Sequence, residues 1–221
     1  MKLLSKIRSL TTNRPRLTNL SEVVLIITCH QLELYPNQHY AVDQLWIMFL
    51  RQTWTINNMV HKVFVYGTLK RNEPNHGTMT NPENGVATFI AEGMTKEKYP
   101  LIIATKYNVP FLLHSPGTGY NVKGEIYEVD DKMLSNLDIL EDHPNCYIRD
   151  KNDIVLTDST HRTVMKCWVY FLKMFKPELL SKPFLEDYKS EGDHGLRYCE
   201  RCKRDVNFKL KLAVRNDCAY L

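Results

Sequence analysis

Two places in this chain bring together residue types suited to acid–base chemistry on a bound anion. The first is the run Lys62-Val63-Phe64-Val65-Tyr66-Gly67-Thr68-Leu69-Lys70. Its first half is β-branched and aromatic, so it reads as a short strand apolar enough for burial on both faces. Glycine alone takes positive φ freely, so the strand is expected to turn sharply at Gly67 and leave the next backbone N–H groups without ladder partners. Amides that converge on one point hold a carboxylate or a developing oxyanion. The second place is Glu141. A helix is expected over residues 131–141, with Asp130 as its cap, Asp131 in its first turn, and Met133, Leu134, Leu137 and Leu140 at helical spacing. Glu141 follows Leu137 by one turn and Leu134 by two, which aims its carboxylate at the buried face. At the negative end of a helix, among apolar neighbours, the dipole and the loss of water both raise a carboxyl pKa, as a general base or acid working near neutrality requires. Taken singly, each place also fits a plainer reading: an ordinary tight turn, and a rim glutamate accepting hydrogen bonds from a loop.

The elements that must position these residues are mostly strands. After a polar, Gly- and Pro-containing loop over residues 71–85, residues 86–95 read as a strand, followed by apolar runs at 101–104 and 111–113. Ser115-Pro116-Gly117-Thr118-Gly119-Tyr120 is a turn signal, and residues 122–129 alternate as a half-buried strand. The glycines at 117, 119 and 124 do not make a nucleotide fingerprint, because a strand and not a helix N-terminus follows them. Pro144 closes the helix and pushes His143 toward an extended conformation. Two further strands are expected at 147–156 and 163–173, joined by a polar turn at 157–162, with Trp168, Tyr170 and Phe171 as core. The stretch Asp187 to Tyr198, with Gly192 and Gly195, reads as a loop folded over something.

Composition sets the outer bounds. With 221 residues, 43% hydrophobic and 24% charged, the chain suits one domain with extensions and needs no metal or disulfide staple. A net charge of +4, with no RNP-like run of aromatic residues interleaved with Lys and Arg, argues against nucleic-acid binding. No apolar run reaches the roughly 18 residues of a membrane span. Six scattered cysteines fit reduced thiols in a cytoplasmic protein. Cys199 and Cys202, with Cys218 farther on, lack a second close pair to complete a zinc site, so no metal and no cofactor is expected. Residues 1–58 read as an N-terminal extension. Lys2, Lys6, Arg8, Arg14 and Arg16 precede any acid, and Leu3, Leu4, Ile7 and Leu10 share one helical face, the pattern of a mitochondrial targeting peptide. The following stretch is more apolar than a cleaved presequence needs, and Met59 is a natural start for the compact part.

Three motifs in order, Val63 to Arg71, Leu137 to Pro144 with Tyr147 and Arg149 behind it, and Ser190 to Tyr198, resemble the gamma-glutamylamine cyclotransferase family, near the animal proteins called troponin C-akin. The resemblance covers residues 59–201 and leaves residues 202–221 as a C-terminal tail. It implies an α+β fold, a small mixed β-barrel of antiparallel and parallel strands flanked by short helices. It also implies that Tyr66, Gly67, Thr68 and Leu69 bind the γ-glutamyl group and that Glu141 is the general base and acid. The reaction implied is intramolecular cyclisation of a small γ-glutamyl amine to 5-oxoproline and a free amine. The alternative is a catalytically inactive binding or regulatory protein of the same fold. No EF-hand loop is present to support calcium binding.

Overall fold

The computed structural model describes residues 60–157 and 163–216. The expectations for residues 1–58, Met59, Cys29, Cys218 and most of the 157–162 turn lie outside the described residues. Along the chain run β1 (His61–Val65), α1 (Gly77–Thr80), β2 (Ala87–Thr95), β3 (Leu101–Ala104), β4 (Val109–Leu112), β5 (Lys123–Val129), α2 (Asp131–Leu140), β6 (Ile148–Leu156), β7 (Val164–Phe171) and α3 (Leu210–Val214).

Five strands close into a barrel in the order β1-β5-β2-β6-β7. All pairs are antiparallel except β1 with β7, which run parallel and meet at Val63 and Trp168. Closure leaves no free sheet edge in the barrel. The remaining strands, β3 and β4, form a separate antiparallel hairpin. Its lead-out turn needs its glycines, since Gly117 and Gly119 have φ of 85° and 82°, and a Cβ on Gly119 would meet the Tyr99 carbonyl oxygen at 2.5 Å.

Strand β1 is buried on both faces, as its apolar run predicts. Val63 and Val65 join one core cluster with Tyr127, Met133 and Leu137, while Phe64 joins a second with Ile126, Ile154 and Phe171. The half-buried alternation expected for β5 is corrected: Gly124, Glu125, Ile126 and Tyr127 are all buried. The strand is paired on both edges, and α2 covers the face that carries Tyr127 and Val129, so neither face meets water over residues 124–127. The loop expected over 71–85 is also corrected, because it holds the short helix α1 and a 3₁₀ turn at Pro82–Asn84. Its polar composition concealed one apolar anchor, Met79, which is buried in the first core cluster.

Residues beyond Arg201 pack on the same core. Val214 is fully buried, and the Phe208 ring meets Tyr107 edge-on at 4.8 Å between centroids. No helix among the described residues is long and apolar enough to cross a membrane.

Candidate functional site

Helix α2 begins as its sequence predicts, with the Asp130 side chain accepting from the Met133 amide at 2.8 Å. Met133, Leu134 and Leu137 are buried and Ile139 is exposed, so the helix is pinned by one face. Its other end determines where Glu141 goes. Asp142 sits in the left-handed region at φ 50°, the His143 amide reaches back to the Asp138 carbonyl at 2.9 Å, and the Asp142 amide reaches Ile139 at 3.2 Å. This is a Schellman cap with Asp in the place usually taken by Gly. It makes Glu141 the C-capping residue and not a member of the last turn. Asp138 anchors the same turn from outside, accepting from the Tyr170 hydroxyl at 2.6 Å and pairing with Arg149 at 3.1 Å.

The turn after β1 faces this cap across one cavity. Gly67 does not take positive φ, which corrects the reason given above for its presence. What the position does show is a close approach: a Cβ there would stand 3.1 Å from Pro110 Cγ, at the end of the β3–β4 hairpin, a tight contact to which the proline ring would have to yield. The backbone N–H groups of Gly67, Thr68 and Leu69 donate to no acceptor among the described residues, although Gly67 and Leu69 are buried. Buried amides are nearly always paired, so unpaired ones lining a cavity point to a ligand. Tyr66 is held by its hydroxyl, which donates to the Tyr170 carbonyl at 2.8 Å.

The cavity is lined by Tyr66, Gly67, Thr68, Leu69 and Glu141, together with Asn75, Pro110, Tyr147, Tyr198, Arg201 and Arg204. Its volume, ≈ 70 Å³, corresponds to about five water-sized spheres. It suits a group the size of a single amino acid. Burial raises the Glu141 carboxyl to about 7, against a smaller opposing pull from Arg201. Burial also holds the Tyr66 and Tyr147 phenols well above their ordinary range, and Glu141 adds to both shifts. Glu141 therefore shares the cavity with two neutral phenols and the Arg201 guanidinium, and forms no ion pair among the described residues.

The five residues singled out from the sequence all line this one cavity. Sequence reasoning missed Asn75, Arg201 and Arg204. Asn75 donates from Nδ2 to Thr68 Oγ1 and to the Tyr198 hydroxyl, each at 2.9 Å, and so ties the tail to the turn. Arg201 donates to the Leu140 carbonyl at 2.6 Å, over the end of α2. The Gly-containing run before Tyr198 was the available signal for a closing segment, but it stopped short of both arginines. No group of three His, Cys, Asp or Glu that could hold a metal occurs among the described residues. Cys199 and Cys202 are free.

Comparison with known proteins bears on the same region. A sequence model described as "Gamma-glutamyl cyclotransferase, AIG2-like" matches residues 63–190. A putative gamma-glutamylcyclotransferase of Drosophila melanogaster is 43% identical, covering 73% of this chain and 96% of its own. The gamma-glutamylaminecyclotransferase of Mus musculus is 45% identical over 66% of this chain and all of its own. The crystal structure of an AIG2-like protein from Mus musculus superimposes with a TM-score of 0.63 at 45% identity, over 66% of this chain and 99% of that one. With the barrel, the turn and the capped glutamate in the same stretch, the chain belongs to the gamma-glutamyl cyclotransferase, AIG2-like family.

Proposed function

We propose that this enzyme is a γ-glutamylamine cyclotransferase that uses Glu141 as general base and acid and the Tyr66-Gly67-Thr68-Leu69 turn to hold the γ-glutamyl group. The observation that carries the reading is a glutamate raised to about 7 that shares a small cavity with unpaired backbone amides. In a γ-glutamyl amine the α-nitrogen can close a five-membered ring on the γ-carbonyl, so the nucleophile comes with the substrate and the enzyme need supply none. Three tasks remain: removing a proton from the α-ammonium, stabilising the tetrahedral oxyanion, and returning a proton to the departing amine. A carboxyl titrating near 7 is partly ionised at neutral pH, so one residue can perform the first and the third. The turn amides meet substrate oxygens without adding a charge that would depress Glu141. The products are 5-oxoproline and a free amine, with γ-glutamyl-ε-lysine as the representative substrate.

The proposal places this chemistry in a domain of residues 59–201, with the tail beyond it packed on the same core, acting on a small molecule, with no nucleic-acid or membrane partner and no cofactor. A cytoplasmic setting is part of it, supported by the free thiols of Cys146, Cys167, Cys199 and Cys202. The test is release of 5-oxoproline from a panel of γ-glutamyl amines. Turnover of at least one is expected, with an acidic limb in the pH–rate profile near 7. A protein that binds members of the panel without releasing 5-oxoproline would instead be a non-catalytic relative of the same fold.

A further inference from the structure

Besides Glu141 and Arg201 the cavity holds a third charged group, outside the residues matched by the family. Arg204 lines it beside Tyr198, fourteen positions beyond the last matched residue, 190. Its guanidinium is fixed on one edge and vacant on another. Nε donates to the Cys199 carbonyl at 2.9 Å, and the Tyr198 and Tyr107 rings flank the group at 5.0 and 5.5 Å from their centroids. Nη2 is buried and has no hydrogen-bond partner, and Arg204 forms no ion pair among the described residues. Leaving a buried guanidinium nitrogen unsatisfied is costly unless a ligand completes it.

The segment that carries Arg204 is tied down on both sides. Asn75 joins Tyr198 to Thr68, the Cys199 amide donates to the Tyr107 carbonyl at 3.0 Å, and the Asp205 amide donates to the Tyr107 hydroxyl at 2.8 Å. Arg204 is thus pre-positioned before any ligand arrives. One small cavity therefore contains one acid, Glu141, and two arginines: Arg201, held on the Leu140 carbonyl at the end of α2, and Arg204, which keeps a vacant nitrogen, with neither ion-paired to Glu141. That charge pattern is the complement of a zwitterion of amino-acid size. In a γ-glutamyl amine the α-ammonium and the α-carboxylate share one carbon, so a substrate whose ammonium faces Glu141 can turn its carboxylate to Arg204.

We infer that Arg204 is a specificity residue that binds the α-carboxylate of the γ-glutamyl group through the vacant edge of its guanidinium. The inference rests on the cyclotransferase reading above. It makes the tail after Tyr198 part of the site, and it gives the enzyme a means of rejecting γ-linked amides that lack a free α-carboxylate. Arginine suits the task because its planar fork meets both carboxylate oxygens, which a lysine cannot do.

The experiment compares γ-glutamyl-ε-lysine with its analogue bearing an α-carboxamide, using the full chain as wild type, Arg204→Gln and Arg204→Lys. Wild type should prefer the acid. Arg204→Gln should reduce kcat/KM for the acid on the order of 100-fold, chiefly through KM, and collapse the preference ratio toward one. Arg204→Lys should fall between. A preference ratio unaltered in Arg204→Gln overturns the inference while leaving the cyclotransferase reading intact. Calorimetric binding of 5-oxoproline supplies a readout that needs no turnover. Wild type should bind it more tightly than Arg204→Gln, whereas equal binding, or none by wild type, overturns the inference. Absence of turnover by wild type on every γ-glutamyl amine counts against the reading and not against the binding result. If Arg204→Gln unfolds, Arg204→Lys and the acid-to-amide ratio of wild type decide the matter, since a wild type indifferent to the carboxamide also overturns it.

Discussion

Glu125 and Glu141 are both withdrawn from water, yet they titrate in opposite directions. For Glu125 burial alone would raise the pKa, but the Arg71 amide and guanidinium Nε, each at 2.9 Å, and the Tyr127 hydroxyl at 2.8 Å outweigh it and hold the carboxyl below its ordinary value. Glu141 has no such donors, and burial carries it to about 7. Desolvation is the more complete for Glu141, and only Glu125 has donors to offset it. A buried carboxylate with a full set of donors is structural, and one left without them is available for proton transfer.

The largest expected effect breaks the pair on the chemical side. Glu141→Gln keeps the shape and removes the titrating group, so 5-oxoproline release should fall by roughly 10³-fold or more with an unchanged circular dichroism spectrum. Near wild-type release would falsify the assignment of Glu141. The same variant should alter stability with the opposite sign. A carboxyl raised in the folded state is charged more easily when unfolded, so Glu141 costs stability as pH rises from about 4.5 to 7. Urea midpoints should therefore show Glu141→Gln more stable than wild type at pH 8, by up to about 3 kcal/mol, and no such gain at pH 4. A loss at pH 8 would mean that Glu141 has a stabilising partner.

Glu125 should behave in reverse. Its depressed pKa contributes stability that is present above the unfolded carboxylate value and lost as pH falls through the folded one. Glu125→Gln should cost about 1–2 kcal/mol at pH 7, a value discounted because Arg71 is partly exposed, and the difference from wild type should shrink in acid. Turnover near neutrality should survive, since Glu125 lies outside the cavity. The smallest effect concerns Arg201, whose charge lowers Glu141. Removing it in Arg201→Gln should move the acidic limb of the pH–rate profile slightly toward alkaline pH, and a move toward acid would refute this role.

Much of the site was legible before the fold. The apolar run of β1 forecast burial on both faces, and the spacing of Asp130, Leu134 and Leu137 located Glu141 at the end of a helix with its side chain inward. These are local properties, governed by the two periodicities of the backbone and by capping chemistry that operates within a few residues. The motifs between Val63 and Tyr198 carried the resemblance to the family because they lie on the elements that hold the cavity together.

Other parts depend on distance in space. Gly67 lines the cavity without the positive φ its type suggests: its close neighbour is Pro110, forty-three positions later, and no local pattern reports a neighbour that only the hairpin brings near. Strand β5 looked half-buried because alternation records side chains, whereas pairing on both edges and cover by α2 come from barrel closure. The raised pKa of Glu141 had a local hint in the helix end, but its size comes from Tyr66, Tyr147 and the tail shutting out water around it. Arg204 had no signal at all, because a guanidinium in a polar tail reads as solvated until Asn75, Tyr107 and Tyr198 fasten that tail over the turn. The sequence by itself determined which groups are present and which local elements bear them. Only the tertiary structure decided which groups lose water together, since desolvation belongs to surfaces that meet in space and not to residues adjacent in the chain.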